Sequence, residues 1–378
     1  MRVALVTENF LPKLDGVTRT LAMLLEHLQQ HSHQAMVIAP EGSPRRYGGA
    51  RIFGARGIPL PFYPELKLSL PEPVFERRLA LFHPDIIHVV DPVILGAAGI
   101  TWAQRLGIPV VSSYHTNLAT YCSYFRLGML VEPTWLYRRY LHNQCARTLC
   151  PSPSTKAELL SRGFTRVGVW PRGVDTQLFT PERRSLDWRH RIGKNPDHTI
   201  ILYVGRLSHE KNLMTLASAY MAVETPTTHL VVVGDGPARP DLERALAGHN
   251  VTYTGYLSGE ALAEAYASSD IFAFPSTTET FGQVVLEAMA SQLPVVAFDS
   301  EGVRDQIRDG ETGFLAPTGD CKAFTQALGM LVDAPELRHC LGHEAQRLAA
   351  GRSWDSAMNG LLDMYYEVAG RSLTERAA

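Results

Sequence analysis

Short apolar runs alternate with amphipathic segments along most of the chain. The first run, Val3–Val6, is followed by apolar positions at helical spacing from Val17 to Leu28, and another run covers Gln34–Ala39. Apolar residues that recur every three or four positions indicate one face of a helix, whereas a short continuous run indicates a strand that is covered on both faces. The pattern therefore predicts strands that alternate with helices.

The alternation occurs in two series, separated by the polar stretch Thr180–His198. In the first series, the further predicted elements are the strands Ile86–Val90, Val110–Ser113, Thr148–Pro151 and Val167–Pro171 and a helix over Ala97–Arg105. In the second series, the predicted strands are His198–Val204, His229–Val233, Val251–Tyr253, Ile271–Phe274 and Val295–Phe298, each followed by a helical segment. Such alternation predicts an α/β fold with doubly wound parallel sheets. We expect two Rossmann-like domains, 1–180 and 190–355, facing each other across a cleft, with a C-terminal helix at about 356–378 that packs back on the first.

The composition limits the classes of protein that fit. Of the 378 residues, 45% are hydrophobic and 20% are charged, and 36 basic against 38 acidic residues give a net charge of −2. This balance excludes a disordered chain and does not suit a protein that coats nucleic acid. No segment reaches the roughly 20 apolar residues of a membrane span, and the apolar run at the N-terminus is too short for a signal peptide. With five cysteines and no Cys-x-x-Cys pair, we expect reduced thiols in a cytoplasmic protein.

Two carboxylates eight residues apart, Glu279 and Glu287, frame the sharpest motif. Gly282 lies between them, where a loop should become a helix. The start of a helix offers unpaired N–H groups to an anion, and a nearby carboxylate suits sugar hydroxyls. The competing interpretation is two surface glutamates on an ordinary helix.

A second motif, Gly205 to Lys211, directly follows the strand that ends at Val204. Arg206 and Lys211 would lie at the carboxyl end of the strand, where ligands bind in such sheets. A guanidinium and an ammonium there could neutralise a diphosphate, although solvated surface charge is the plainer alternative.

Two signals in the first series are weaker when taken alone. Gly16 follows the loop after the first strand and would let a phosphate approach backbone N–H groups. His115 follows the strand Val110–Ser113 and could hydrogen-bond a sugar. Each also has a structural interpretation, a glycine at a helix start and a histidine in the core. By contrast, Gly234-Asp-Gly-Pro237 lacks the third glycine of a dinucleotide-binding loop, so we interpret it as a turn.

These motifs resemble those of the retaining glycosyltransferases of family 4, which have the GT-B fold. Glu279 to Glu287 is similar to the family's E-x7-E signature, and Gly205 to Lys211 to its G-R-x4-K motif. The lipid-acceptor alpha-mannosyltransferases and the sulfoquinovosyl-diacylglycerol synthases are the most similar branches. They share segments such as Ser113–Thr116 and Ala265–Ser268 with this chain.

The resemblance implies a role for each motif residue. Glu287 would hold the nucleotide ribose and Glu279 the hydroxyls of the donor sugar, while Arg206 and Lys211 would stabilise the departing diphosphate. His115 would touch the donor hexose. Contacts with the diphosphate or sugar would come from Gly16, Gly205, Phe281, Gly282, Gln283 and Val284. The resemblance implies no cofactor and no metal, and the sequence contains no Asp-x-Asp motif.

The expected activity is transfer of a hexose from a nucleotide-sugar to a hydroxyl of a lipid or glycolipid, with GDP-mannose as the preferred donor. A UDP-linked glucose or sulfoquinovose is the alternative donor, and a soluble acceptor is the alternative acceptor. A non-catalytic nucleotide-sugar binding protein or an epimerase would be a different class. Two stretches of the chain fit contact with an anionic membrane, Gly57–Pro64 for its apolar residues and Trp135–Tyr140 for its mixed aromatic and basic residues. The prolines of the first stretch are too many for a strand or a helix. The competing interpretations are a loop of the cleft for the first stretch and a packed helix for the second. We therefore expect a protein at the inner face of the cytoplasmic membrane.

Overall fold

The chain folds into two α/β units. The computed structural model describes residues 1–12, 16–60, 63–119, 128–192 and 195–371. The first unit comprises Met1–Pro171 and Trp354–Ala378, and the second comprises Arg172–Ser353. Each unit contains a mainly parallel sheet, which confirms the α/β class predicted for both series.

The strands and helices are numbered here in chain order. The strands are β1 (Arg2–Thr7), β2 (Gln34–Pro40), β3 (Arg46–Tyr47), β4 (Ala50–Ala55), β5 (Gly57–Leu60), β6 (Tyr63–Ser69), β7 (Ile86–Val90), β8 (Val110–Ser113), β9 (Arg147–Cys150), β10 (Val167–Val169), β11 (Thr199–Val204), β12 (Thr228–Val233), β13 (Val251–Gly255), β14 (Ile271–Phe274), β15 (Val295–Phe298) and β16 (Gly313–Ala316). The helices are α1 (Gly16–Gln30), α2 (Pro73–Phe82), α3 (Leu95–Leu106), α4 (Val131–Asn143), α5 (Pro153–Ser161), α6 (Leu186–Ile192), α7 (Leu213–Val223), α8 (Arg239–Ala245), α9 (Gly259–Ala267), α10 (Gln283–Ala290), α11 (Cys321–Asp333), α12 (Pro335–Ala350) and α13 (Trp354–Val368). Short 3₁₀ turns cover Gly128–Leu130, Pro181–Arg183 and His209–Lys211.

The sheet of the first unit has the order β10-β9-β8-β7-β1-β2-β4-β3. All neighbouring pairs are parallel except β3 and β4. Alternate residues of β1 face two different cores: Val3 and Leu5 pack with α1 and α13, whereas Ala4 and Val6 pack with α2 and α3. Burial on both faces explains why this strand reads as a continuous apolar run.

The sheet of the second unit has six parallel strands in the order β13-β12-β11-β14-β15-β16. The strand order reverses between β11 and β14. From β11 the chain continues to β12 and β13 on one side of the sheet, and from β14 it continues to β15 and β16 on the other. Ligands bind at such a switch point in doubly wound sheets, outside the carboxyl ends of the strands. The loops after β11 and β14 carry the two strongest sequence motifs.

Two local predictions were wrong. The segment after β15 consists of turns and leads into another strand, β16, rather than a helix. Gly57–Leu60 is the strand β5, paired with β6, although its prolines argued against a strand. A two-stranded sheet leaves one side of each strand without a partner, where the missing N–H of a proline costs no hydrogen bond. The short strands β3 and β4 were also missed.

The division between the units lies at Pro171 and Arg172, ahead of the polar stretch chosen from sequence. Phe179 is buried in the core of the second unit. Arg184 and Arg189 both bind Asp270 of that unit, at 2.7 and 3.0 Å. The charges that suggested a solvated linker therefore have partners within the second unit.

Candidate active site

The loop after β11 is built by close backbone contacts with the loop after β12. Gly205 N–H donates to the Val233 carbonyl at 3.0 Å, and Leu207 N–H donates to the Asp235 carbonyl at 2.9 Å. A Cβ at Gly234 would lie 2.0 Å from the oxygen of Gly205, so only glycine permits this approach. The glycines that we interpreted as a turn thus also support the loop that carries Arg206.

The two main sequence motifs meet in one ion pair. Lys211 Nζ donates to Glu279 Oε1 at 2.5 Å, with side chains 14% and 21% exposed. Ser276 Oγ donates to the same carboxylate oxygen at 3.1 Å. Lys211 closes the 3₁₀ turn after β11 and Glu279 lies in the loop after β14, so the contact joins the ends of two adjacent strands.

Asn212 fixes the relative position of these two loops. It adopts a left-handed conformation with φ of 53° and precedes α7. Its side-chain amide donates to the Pro275 carbonyl at 3.1 Å and to Thr277 Oγ1 at 3.2 Å. Because Asn212 directly follows Lys211, these bonds restrict where the ammonium can lie.

Helix α10 begins after Gly282, which has φ of 77° and ψ of 60°. The side-chain amide of Gln306 donates to the carbonyls of Phe281 and Gly282, the latter at 3.2 Å. A Cβ at Gly302 would lie 2.4 Å from the carbonyl of Thr280. The loop before the helix is therefore held on one side by buried groups, while the first N–H groups of any helix lack intrahelical acceptors.

The other residues of this motif are largely internal. Glu287 is only 2% exposed, and Tyr266 donates to its Oε2 at 3.3 Å. The Gln283 amide donates to the Gly173 carbonyl at 2.9 Å. Phe281 is buried in the core of the second unit, and Val284 is partly buried against that core. The helix start is thus held by buried groups and hydrogen bonds, which suits the precise placement of a ligand.

The negative charge beside β11 affects one buried phenol. Tyr203 lies in β11, and its hydroxyl donates to the Arg206 carbonyl at 3.3 Å. Burial, together with the charges of Glu279 and Glu210, raises the pKa of Tyr203 well above its usual value. The phenol therefore remains protonated and acts as a donor that anchors the loop of Arg206.

Gly16 and His115 belong to the first unit. Gly16 is the first residue of α1, and its carbonyl accepts from Thr20 Oγ1 at 2.7 Å. His115 follows β8 and is 5% exposed; its N–H donates to Asp91 Oδ1 at 2.9 Å, and its ring lies edge-on to Trp170 at 5.6 Å. The residues just before Gly16, 13–15, lie outside the described residues.

Several supporting residues were missed by sequence reasoning. Ser276, Asn212 and Gln306 belong to no motif that we singled out, and only their proximity in the chain to Lys211 or Glu279 could have suggested the first two. Asp91 likewise belongs to no motif that we singled out. Its carboxylate binds the segment that contains His115, and α3 begins only at Leu95.

Within the described ranges, no three His, Cys, Asp or Glu side chains are grouped so that they could hold a metal ion. The helices of those ranges include none that is long and apolar enough to cross a bilayer. Among the described residues no disulfide joins Cys145, Cys150, Cys321 or Cys340, while Cys122 lies outside the described residues.

Comparison with known proteins identifies the family. The model for "Glycosyl transferases group 1" matches residues 185–348, and the model for "Glycosyltransferase Family 4" matches residues 14–178. A GDP-mannose-dependent alpha-mannosyltransferase of Mycobacterium tuberculosis is 38% identical, over 100% of this chain and 99% of its own. The chain belongs to the group 1 glycosyltransferases.

Relatives named for the two alternative sugars, sulfoquinovose and glucose, match this glycosyltransferase as well. The sulfoquinovosyl transferase SQD2 of Arabidopsis thaliana is 34% identical over 97% of this chain and 74% of its own length. An alpha-monoglucosyldiacylglycerol synthase of Streptococcus pneumoniae is 28% identical over 93% of this chain and 83% of its own. GDP-mannose-dependent alpha-mannosyltransferases and a sulfoquinovosyl transferase are thus both confirmed as relatives.

Solved structures confirm the fold of this glycosyltransferase. A sucrose-phosphate synthase of Thermosynechococcus elongatus aligns with a TM-score of 0.79 at 20% identity, over 98% of this chain and 100% of that chain. The expected GT-B fold is therefore confirmed.

Proposed function

We propose that this glycosyltransferase moves mannose from GDP-mannose to a hydroxyl of a lipid or glycolipid, with retention of the anomeric configuration. The observation that carries the proposal is the contact of Lys211 with Glu279 at the switch point of the second unit. The similarity to a GDP-mannose-dependent enzyme over the full chain favours this donor. A UDP-linked glucose or sulfoquinovose is the alternative, supported by the two relatives named for those sugars.

In this proposal the second unit binds the donor. Lys211 and Arg206 stabilise the diphosphate as it leaves, and Glu279 accepts hydrogen bonds from hydroxyls of the hexose. Glu287 holds the ribose. The backbone from Phe281 to Val284 meets the diphosphate or the sugar, because the start of a helix attracts anions. Gly205 allows the loop after β11 to approach the same group.

The transfer itself exchanges one bond at the anomeric carbon for another. The bond from this carbon to the diphosphate oxygen breaks, and the bond to the acceptor oxygen forms on the same face. The proton of the acceptor hydroxyl passes to an oxygen of the departing diphosphate. Fixed cations and the helix start supply the charge stabilisation that a divalent metal would otherwise provide, so the proposal requires none. Gly16 contacts the diphosphate, and His115 hydrogen-bonds the hexose.

An apolar patch on the first unit supports a lipid acceptor. It consists of Met129, Leu130, Leu136, Tyr137 and Tyr140, on the 3₁₀ turn before α4 and on α4 itself. Met129 is 91% exposed and Tyr140 is 65% exposed. Leu136 and Tyr140 lie one helical turn apart on α4, and exposed apolar side chains that share a face mark surfaces that bind proteins or membranes.

The border of the patch carries both signs of charge. A cavity of about 330 Å³ beside Leu136 is lined in part by Glu132, Arg139 and Arg162, and Arg162 forms an ion pair with Glu132 at 3.3 Å. The sequence had suggested that the whole segment Trp135–Tyr140 is interfacial, which is wrong for two residues: Trp135 packs against Tyr114 and Arg138 is buried. Leu136 and Tyr140 remain available. We propose peripheral contact with the inner face of the cytoplasmic membrane through this patch.

The donor and the acceptor can be tested in one experiment. The purified protein is incubated with radiolabelled GDP-mannose, UDP-glucose or UDP-sulfoquinovose, together with membrane lipid extract. We expect label in the organic phase with GDP-mannose alone. Label that stays aqueous with every donor would contradict a lipid acceptor, and labelled lipid from a UDP-sugar alone would establish the alternative donor.

Membrane contact requires a separate measurement. We expect the protein to float with vesicles that contain anionic lipid at low salt, and the triple variant Met129→Ser/Leu136→Ser/Tyr140→Ser to remain at the bottom of the gradient. Leu81→Ser is the matched control, because Leu81 is 79% exposed on α2 of the same unit. Equal flotation of the triple variant and the wild type would exclude the patch as the contact.

A further inference from the structure

The carboxylate of Asp91 accepts hydrogen bonds from the segment that contains His115. Asp91 follows β7 and has φ of 45°, a left-handed conformation that side chains other than glycine seldom adopt. Its Oδ1 accepts from His115 N–H at 2.9 Å and Thr116 N–H at 3.2 Å, and its Oδ2 accepts from Thr116 Oγ1 at 3.0 Å. Three donors from two successive residues thus converge on Asp91.

A buried arginine completes this arrangement. Arg138 of α4 is 2% exposed and donates to Asp91 Oδ1 at 2.8 Å. Its guanidinium carbon lies 4.7 Å from the centre of the Tyr114 ring. Neither Nε nor Nη1 of Arg138 has a hydrogen-bond partner in the part of the chain that the structure describes. Asp91 is therefore the counterion that makes burial of this cation tolerable.

The pair touches three consecutive residues in three different ways. Arg138 covers the ring of Tyr114, Asp91 binds the backbone of His115, and Asp91 binds both the backbone and the hydroxyl of Thr116. We propose that Asp91 and Arg138 are positioning residues that fix His115 for its contact with the donor hexose. This inference rests on the proposed function, in which His115 binds that sugar.

Physical reasons favour a positioning role over simple stabilisation of the fold. The N–H groups of His115 and Thr116 lie past the end of β8 and bind Asp91 rather than a neighbouring strand. A binding side chain must be held within about 0.5 Å of its productive position. The left-handed conformation of Asp91 raises the conformational energy of its backbone. Backbone strain of this kind is concentrated at functional sites.

A double-mutant cycle tests the inference. Asp91→Asn should lower kcat/KM for the nucleotide-sugar about tenfold and leave the Kd for free GDP unchanged, since the proposal assigns the nucleotide to the second unit. His115→Ala should lower kcat/KM as well. If Asp91 acts through His115, adding Asp91→Asn to His115→Ala should change kcat/KM by less than about twofold. Losses that multiply in the double variant would overturn the inference.

A second variant guards against misfolding. Asp91→Asn leaves Arg138 as a buried cation without its counterion, so Asp91→Asn/Arg138→Met removes both charges and is carried through the same cycle with His115→Ala. NMR of the imidazole nitrogens of His115 gives a readout without turnover, and we expect its resonances to shift in the Asp91 variants. Unshifted resonances in a folded variant would refute positioning. If the wild type transfers no sugar at all, the proposed function fails, and the NMR arm still decides whether Asp91 orients His115.

Discussion

Replacing Lys211 with methionine removes one charge from the proposed donor site and keeps a side chain of similar length. In the structure this change deletes the donor of the 2.5 Å bond to Glu279, whose Oε1 retains the bond from Ser276 at 3.1 Å. Lys211→Met therefore separates the charge of the lysine from its bulk.

Lys211→Met should change both the free energy of unfolding and the rate of transfer, and the two effects differ in size. The ion pair is 14% and 21% exposed, so its loss should lower the free energy of unfolding by about 1–2 kcal/mol. A fixed charge that stabilises the transition state typically contributes a factor of about 10²–10³ in rate, or about 2.7–4 kcal/mol. Because domains are stable by roughly 5–15 kcal/mol, the variant should remain folded at 25 °C while its rate falls about 100-fold.

The assay measures kcat and KM for the nucleotide-sugar in Lys211→Met and Glu279→Gln, with thermal unfolding of each variant. Lys322→Met and Glu336→Gln are matched controls, because both side chains are exposed on helices of the second unit. We expect losses mainly in kcat for Lys211→Met and activity near that of the wild type in both controls. A value of kcat/KM within threefold of the wild type in Lys211→Met and Glu279→Gln would mean that the active site lies elsewhere.

Three further predictions concern other parts of the molecule. Glu287→Gln should raise the Kd for GDP about tenfold, measured by calorimetry, because the amide replaces one of the two acceptor oxygens with an NH₂ donor and removes the charge that strengthens hydrogen bonds from ribose hydroxyls. Gly302→Ala should lower the melting temperature by several degrees and reduce turnover, since its Cβ would overlap the carbonyl of Thr280 and φ is 76°. Burial lowers the pKa of His88 to about 3, so below pH 6.5 the unfolded chain binds a proton that the folded state does not. The free energy of unfolding from urea titrations should therefore fall by about 1.4 kcal/mol between pH 7.5 and 5.5 on account of His88, and by that much less in His88→Asn; equal slopes in both proteins would contradict the assignment.

The fold could be predicted where burial on both faces left continuous apolar runs. The bounds predicted for Ile86–Val90, Val110–Ser113 and Ile271–Phe274 coincide with β7, β8 and β14. Short edge strands such as β3 have half-exposed sequences without such a run, and they escaped detection. The boundary between the units was misjudged because the pattern cannot tell a solvated arginine from Arg189, which is buried against Asp270.

The candidate site was predictable in its motifs but not in its supports. Glu279 and Lys211 stood out because each follows a buried strand, and the neighbouring positions of β14 and β11 bring them together. Gln306 and Asp91 act on backbone atoms of residues that are 25 and 24 positions away in the chain. Hydrogen bonds to carbonyl and N–H groups leave no trace in the identity of the residue that is bound, so sequence spacing cannot reveal them.

The ion pair also shows how one carboxylate could serve two roles. Both hydrogen bonds that Glu279 receives within the described chain, from Lys211 and Ser276, end on Oε1. The other oxygen is therefore available to a hydroxyl, while Oε1 still holds the ammonium. Since Asn212 holds the loop that carries Lys211, the ammonium lies beside Glu279 before any donor binds. This arrangement predicts that the donor meets a charge already in place rather than one recruited from solvent, and that Lys211→Met and Glu279→Gln each lower activity because each weakens the same ion pair.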